Sequence, residues 1–185
     1  MIDTVLKETK DNMEKAVTAL QTHMGKLRTG RATLAMLDGV RVDYYGTMTP
    51  LNQVASLAIP EPRMITVQPW ESNLIPAIEK AIDKANLGLN PNNDGKLIRL
   101  PIPQLTEDRR KEIVKQLKAM AEEARVSIRH VRKEANDLLK KLQKDANITE
   151  DELKRGTELV QKSTDENTTK IDQIVEKKEK DIMTV

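Results

Sequence analysis

The stretch EIVKQLKAMAEEARVSIRHVRKEANDLLKKL, residues 112–142, decides how the rest of the chain must be arranged. Its apolar positions Val114, Leu117, Ala121, Ala124, Ile128, Val131, Ala135, Leu138 and Leu142 alternate steps of three and four. That repeat of about 3.5 residues turns one face of a long helix toward partner helices. The pattern extends over 107–145, where Thr106 can cap the start and Glu107 and Asp108 suit the positive end of the dipole. Such a face has to be buried by other helices, and two are available. Residues 1–30 contain no proline and carry Leu6, Thr9, Met13, Ala16, Leu20, His23 and Leu27 in the same rhythm. TEDE at 149–152 is a capping box that opens a third helix. Its seam of Leu153, Thr157, Val160, Thr164, Asn167, Ile171 and Ile174 is more polar and is expected to pack least tightly.

Between the first two helices the chain changes character. All eight prolines lie from Pro50 to Pro103, among the β-branched, alternating runs VRVDYYG, VASLAIP, MITVQP and KLIRLPI. One helix fits there, with Asn73 as cap, Pro76 in the first turn and NLG at 86–88 as the stop. The order β, β, β, α, β describes a small domain at 31–104 inserted into a helical domain made of 1–30 and 105–185. The two connections, at 29–31 and 101–106, combine the backbone freedom of Gly30 with the restraint of prolines. Two short connections make a hinge at Gly30, Arg31, Pro103, Gln104 and Leu105, the alternative being two domains packed rigidly together.

Composition narrows the function. Cysteine is absent, which excludes disulfides, thiolate nucleophiles and cysteine-ligated metals. No stretch approaches the length and apolarity of a membrane span and the N-terminus has no signal-peptide character, so the expectation is a cytoplasmic protein without membrane contact. Aromatic residues make up 2% of the chain, which argues against reading single strands by stacking bases on rings. Formal net charge is only +2, so affinity for nucleic acid has to come from how charge is distributed. Residues 105–145 hold twelve basic against eight acidic side chains, while 31–104 hold seven of each and 146–185 hold seven against ten. The long second helix is the basic element.

On that helix Lys111, Lys118, Arg125 and Arg132 recur every seven residues, each one position after a seam residue, with Arg129 in the same arc. The stripe runs roughly 30 Å along one side. One reading makes these flanking cations that cover the seam and pair with acids of the third helix. The other makes them a grip on phosphates, which suits the use of arginine, with its planar fork, toward the middle of the stripe. Arg109 and Arg110 at the near end of the helix, with Arg28 and Arg31 across the connection, add to the basic concentration. Recognition by shape and phosphate suits structured RNA better than a DNA sequence.

No phosphate-binding glycine loop and no nucleophile, histidine and acid set occurs. His23 falls on a seam and reads as a bundle histidine. His130 and Glu134 form an i,i+4 pair, too few ligands for a metal site. Trp70 reads as core or rim, and of the adjacent strand residues Tyr44 and Tyr45 only one can face inward, leaving the other as a candidate partner surface. An enzyme in the β/α/β domain is thus disfavoured. A coiled-coil scaffold whose arginines serve interchain pairing is the competing class.

KLRTGRA at 26–32, VDYYGTMTPLNQVASL at 42–57, NLGLNPNNDGKLIRLPIPQLTEDRRKE at 86–112 and ARVSIRHVRKEAND at 124–137 together resemble bacterial ribosome recycling factor, in the same order and along the whole chain. The resemblance implies a two-domain α+β protein: a long antiparallel three-helix bundle with an inserted β/α/β sandwich domain, together L-shaped. It implies a monomeric, non-enzymatic translation factor that enters the post-termination ribosome near the aminoacyl site. There its bundle lies on large-subunit ribosomal RNA, and with elongation factor G the subunits separate. GTP belongs to the partner, so the chain itself needs no cofactor or metal. The arginines critical in that family match Arg110, Arg129 and Arg132; Arg125, Lys118, Arg28 and Arg31 are added by the charge argument alone.

Overall fold

In a computed structural model, which describes residues 1–184, the chain forms two compact units. One comprises Met1–Leu27 and Lys111–Met183, the other is built on Arg28–Arg110. The protein is a two-domain α+β chain. Among the described residues no helix is long and apolar enough to cross a membrane.

The helical unit holds α1 (Ile2–Gly25), most of α4 (Glu107–Lys144) and α5 (Glu150–Met183). Lys118 of α4 meets Glu179 of α5 and Arg125 meets Asp172, so those helices run antiparallel. Gly156 of α5 lies near Ile2 at the start of α1, while Val17 and Lys170 line one groove further along, so α1 and α5 run parallel. Val5, Ala135, Leu139, Ile148 and Val160 form a core to which all three helices contribute.

Each seam is displaced in places from its expected line. On α1 the buried residues are Val5, Thr9, Met13, Val17, Leu20 and Met24; Ala16 is half-buried and His23 is exposed. Burying Val17 and Met24 removes more apolar area from water than burying Ala16 and an imidazole. His23 is therefore not a bundle histidine. On α4 the line runs through Ile113, Leu117, Ala121, Ala124, Ile128, Ala135 and Leu139, and Leu138 is 41% exposed. A straight helix drifts from a strict seven-residue repeat, and by this point the drift has carried Leu139 onto the seam. On α5 Gly156 is buried in place of Thr157, because the space a side chain would fill holds Leu139: a Cβ at 156 would lie 3.1 Å from its Cδ1. The buried polar seam residues each donate one hydrogen bond back to their own helix. Thr9 Oγ1 donates to the Val5 carbonyl at 2.7 Å, Thr164 Oγ1 to Val160 at 2.8 Å, and Asn167 Nδ2 to Ser163 at 2.8 Å.

Of the expected caps, the two on the bundle helices form. The Arg109 N–H donates to Thr106 Oγ1 at 3.2 Å at the start of α4. At the start of α5 the Glu152 N–H donates to Thr149 Oγ1 at 3.2 Å and the Thr149 N–H to Glu152 Oε2 at 2.7 Å. That backbone donor holds the Glu152 carboxyl below the usual glutamate range. Thr149→Ala is expected to cost the helical unit about 1 kcal/mol in a denaturant titration. Because the folded pKa is depressed, the Glu152 contribution is present above the unfolded glutamate pKa and is lost as pH falls through the folded value. The stability difference between the wild type and Glu152→Gln should therefore shrink on acidification.

The second unit contains a two-stranded hairpin, β1 (Arg41–Tyr44) and β2 (Thr47–Pro50), a single turn α2 (Leu51–Val54), and a four-stranded antiparallel sheet. The sheet is ordered β3 (Ala55–Glu61), β4 (Met64–Pro69), β6 (Ile98–Pro101) and the two-residue edge strand β5 (Asn92–Asn93), with α3 (Ile75–Lys84) between β4 and β5 in sequence. β2 and β5 are additions to the expected order, since short polar strands lack the alternating apolar pattern. Ile65, Val67, Ile98 and Leu100 of the sheet pack with Ile75, Ile78 and Ile82 of α3 in one core. Asn73 does not cap α3. It sits in a 3-10 turn, Ser72–Leu74, ahead of the helix, and its amide reaches Tyr45 Oη at 3.5 Å. Pro76 does occupy the first turn, and Asn86 (φ 52°) and Gly88 (φ 70°) follow the helix end in left-handed conformations.

Candidate nucleic-acid interface

The α4 cations are held by carboxylates on two helices. Arg125 Nη2 meets Asp172 Oδ1 of α5 at 2.6 Å and its Nη1 meets Glu122 Oε2 at 3.5 Å. Arg129 Nη2 reaches the other oxygen of Glu122 at 2.6 Å. Lys118 Nζ lies 3.5 Å from Glu179 Oε1. Arg129, then Arg125, hold the Glu122 carboxyl below its ordinary range, and Asp172 raises the already high pKa of the Arg125 guanidinium. Pairing with acids of the third helix is therefore present at Lys118 and Arg125. It leaves charge accessible, since the Arg129 side chain is 52% exposed and that of Lys118 63%. Arg132 is half-buried and has no hydrogen bond or ion pair among the described residues.

The remaining candidates belong to the second unit. Arg28 and Arg31, with Gly30, Pro103, Leu105 and Arg109, line a cleft of about 250 Å³ whose floor includes Met36, Leu87 and Ile102. Arg28 is exposed, Arg31 and Arg110 are half-buried, and Arg28 Nη1 lies 3.6 Å from where a Cβ at Gly88 would stand. Of the expected hinge residues, Gly30 is buried with φ 79°, Pro103 and Gln104 are exposed, and Leu105 is half-buried. Residues 102–106 carry no regular secondary structure.

Among the aromatic residues, Tyr44 is half-buried and Tyr45 is 72% exposed, so one faces inward as the strand pattern requires. Trp70 is 68% exposed and is no part of the core. His130 Nε2 stands 3.2 Å from Glu134 Oε1, both side chains well exposed, and among the described residues no group of three or more His, Cys, Asp or Glu could hold a metal ion. Glu122 is a participant that sequence reasoning misses, although its i,i+3 spacing to Arg125 is a usable signal. Asp172 and Glu179 carry no such signal, because their partners are distant in sequence.

Residues 20–183 match the family model described as Ribosome recycling factor. The chain belongs to the ribosome recycling factor family. It is 55% identical over 181 residues to the ribosome-recycling factor of Myxococcus xanthus, covering 98% of each chain. It is 56% identical over 185 residues to that of Pelobacter propionicus, covering both chains fully. The solution structure of a ribosome recycling factor matches with a TM-score of 0.78 at 41% identity, over 100% of this chain and 98% of the other. A second structure matches at TM-score 0.66 and 47% identity over 98% of both chains. It is that of the T. thermophilus ribosome recycling factor, which with E. coli elongation factor G is bound to the E. coli post-termination complex. Ribosome recycling factors are translation factors rather than enzymes, which places the chemistry of this chain in binding.

Proposed function

We propose that this chain recycles ribosomes: it binds the post-termination complex near the aminoacyl site and, with elongation factor G and GTP, separates the subunits. The observation that carries the reading is the family match over residues 20–183, joined to a relative of 47% identity placed with elongation factor G on that complex. On this reading the chain acts as a cytoplasmic monomer without a cofactor, and GTP is used by its partner. Lys118, Arg125, Arg129 and Arg132 on α4, with Arg110, Arg28 and Arg31, contact phosphates of large-subunit ribosomal RNA. Accessible guanidinium groups at Arg129, and an Arg132 that has no competing carboxylate, support that assignment. A chain bent at Gly30 and at 102–106 while the bundle stays anchored is the motion the reading needs; the left-handed Gly30 and the irregular connection support it.

Mixing the purified chain with post-termination ribosomes, elongation factor G and GTP should release free subunits, with no release when the elongation factor is left out. Absence of release rejects the function. If about five phosphates are engaged, log affinity for ribosomes should fall against log salt with a slope of roughly minus four. An affinity insensitive to salt would rule out the phosphate grip. Intrachain pairs at Lys118 and Arg125 leave little for interchain pairing, so sedimentation is expected to show a monomer at all concentrations. A concentration-dependent oligomer would favour the scaffold reading.

A further inference from the structure

Both tyrosines of the chain, Tyr44 and Tyr45, gather at one carboxylate. Tyr44 Oη donates to Glu71 Oε1 at 3.0 Å and Tyr45 Oη to Glu71 Oε2 at 2.9 Å; Trp70 is the chain neighbour of Glu71. The two tyrosine rings meet edge to face, with centroids 4.7 Å apart and planes at 71°. Glu71, by accepting the Tyr44 hydroxyl proton, holds that phenol above its ordinary pKa. Tyr45 and Gly46 form the hairpin turn with φ of 48° and 84°, the type I′ geometry in which a residue other than glycine, asparagine or aspartate is unfavoured. A left-handed backbone is strained for tyrosine, because its Cβ crowds the following carbonyl oxygen. The molecule thus holds a strained tyrosine in place by its hydroxyl while leaving the residue 72% exposed, and Trp70, the residue before Glu71, is 68% exposed.

Such a patch discriminates by charge. Residues 43–49 and 70–73 contain two acids, Asp43 and Glu71, and no lysine, arginine or histidine, so a phosphate backbone is repelled. Ring faces beside a carboxylate attract a cation, and arginine gains from stacking as well as from charge. We propose that the exposed Tyr45 ring and Glu71 form a docking patch for an arginine or lysine side chain of a protein partner. Its use during subunit separation rests on the recycling function proposed above. The rigid hydroxyl anchor keeps the Tyr45 ring ready, so little side-chain freedom is lost on docking.

Trp70 is the only tryptophan and the chain neighbour of Glu71, so its fluorescence serves as the reporter. Titrating the full chain with tetra-arginine should give a saturable change, while tetra-glutamate and oligouridylate give none. Glu71→Gln should weaken the tetra-arginine response about tenfold. Tyr45→Ala should weaken it about fivefold, and Tyr45→Phe, which keeps the ring and loses the hydroxyl, by no more than about twofold. Equal losses in the two Tyr45 variants would make the cluster a clamp for the hairpin and overturn the proposal. So would an unchanged Glu71→Gln, or a response to oligouridylate matching that to tetra-arginine, which would assign the patch to base stacking. In the subunit-release assay Glu71→Gln should slow release about fivefold relative to wild type; release at the wild-type rate overturns the proposal. Should wild type itself release no subunits, the recycling function falls and the peptide titration alone judges the patch.

Discussion

Replacing Arg132 and Arg129 together by alanine should weaken ribosome binding by about 100-fold, with Arg132 responsible for the larger share. A hydrogen bond to a charged group contributes about 1.5–3 kcal/mol, a factor of at least about ten for each arginine that meets a phosphate. Among the described residues Arg132 has no carboxylate to leave, so nearly all of that difference appears in the affinity. Arg129 must first part from Glu122 at 2.6 Å, an exposed pair that offsets a small part of the gain. The expected order is therefore wild type, Arg129→Ala, Arg132→Ala and then the double variant in falling affinity, measured by ribosome pelleting at fixed salt. Circular dichroism should show the same helix content throughout, since neither side chain belongs to the buried seam. A double variant that binds and recycles like wild type would dismiss α4 as the RNA-contacting edge.

Leu139→Ala should destabilise the helical unit by about 3 kcal/mol, while Leu138→Ala, one residue away, should cost less than about 1 kcal/mol. Leu139 is fully buried among residues of all three helices, and Leu138 is 41% exposed. For a protein of this size the first change corresponds to a fall in midpoint of roughly 6–12 °C, read on the helical transition by calorimetry. Gly156 gives a second arm. An alanine there gains about 1 kcal/mol of helix propensity, yet its Cβ would stand 3.1 Å from Leu139 Cδ1 and 3.3 Å from Cδ2. In the Leu139→Ala background those contacts are gone, so Gly156→Ala should stabilise more there than in the wild type. Additive effects in that double-mutant cycle would mean that the two positions do not touch.

Some features are legible in the sequence and others are hidden for physical reasons. The three helices, the Thr106 cap and the Thr149–Glu152 box are local, and each is readable from spacing. The seam itself is less so, because a repeat of about 3.5 and a helix of 3.6 residues per turn diverge along a long helix. Over α4 that divergence replaces Leu138 by Leu139. β2 and β5 are hidden because Thr47–Pro50 and Asn92–Asn93 carry almost no apolar signal. The arginine stripe is legible as a pattern, but its partners Asp172 and Glu179 lie 47 and 61 residues away in sequence and are joined to it only by the fold. Trp70 shows the same limit from the other side: an aromatic between strand and helix suggests burial, and only the tertiary arrangement leaves it on the surface.

The acids that hold Arg125 and Arg129 bear on how long the protein can remain where it works. Any phosphate that takes over these guanidinium groups competes with Asp172 and Glu122, which stay covalently beside them and recapture them once the phosphate lets go. If these arginines grip ribosomal phosphates as proposed, such exchange lowers the net strength of the hold and quickens departure, so the dwell time on a ribosome would be shortened by the protein's own side chains. Removing Glu122 would thus yield a tighter but slower-leaving factor, fit for one round of work and poor at many.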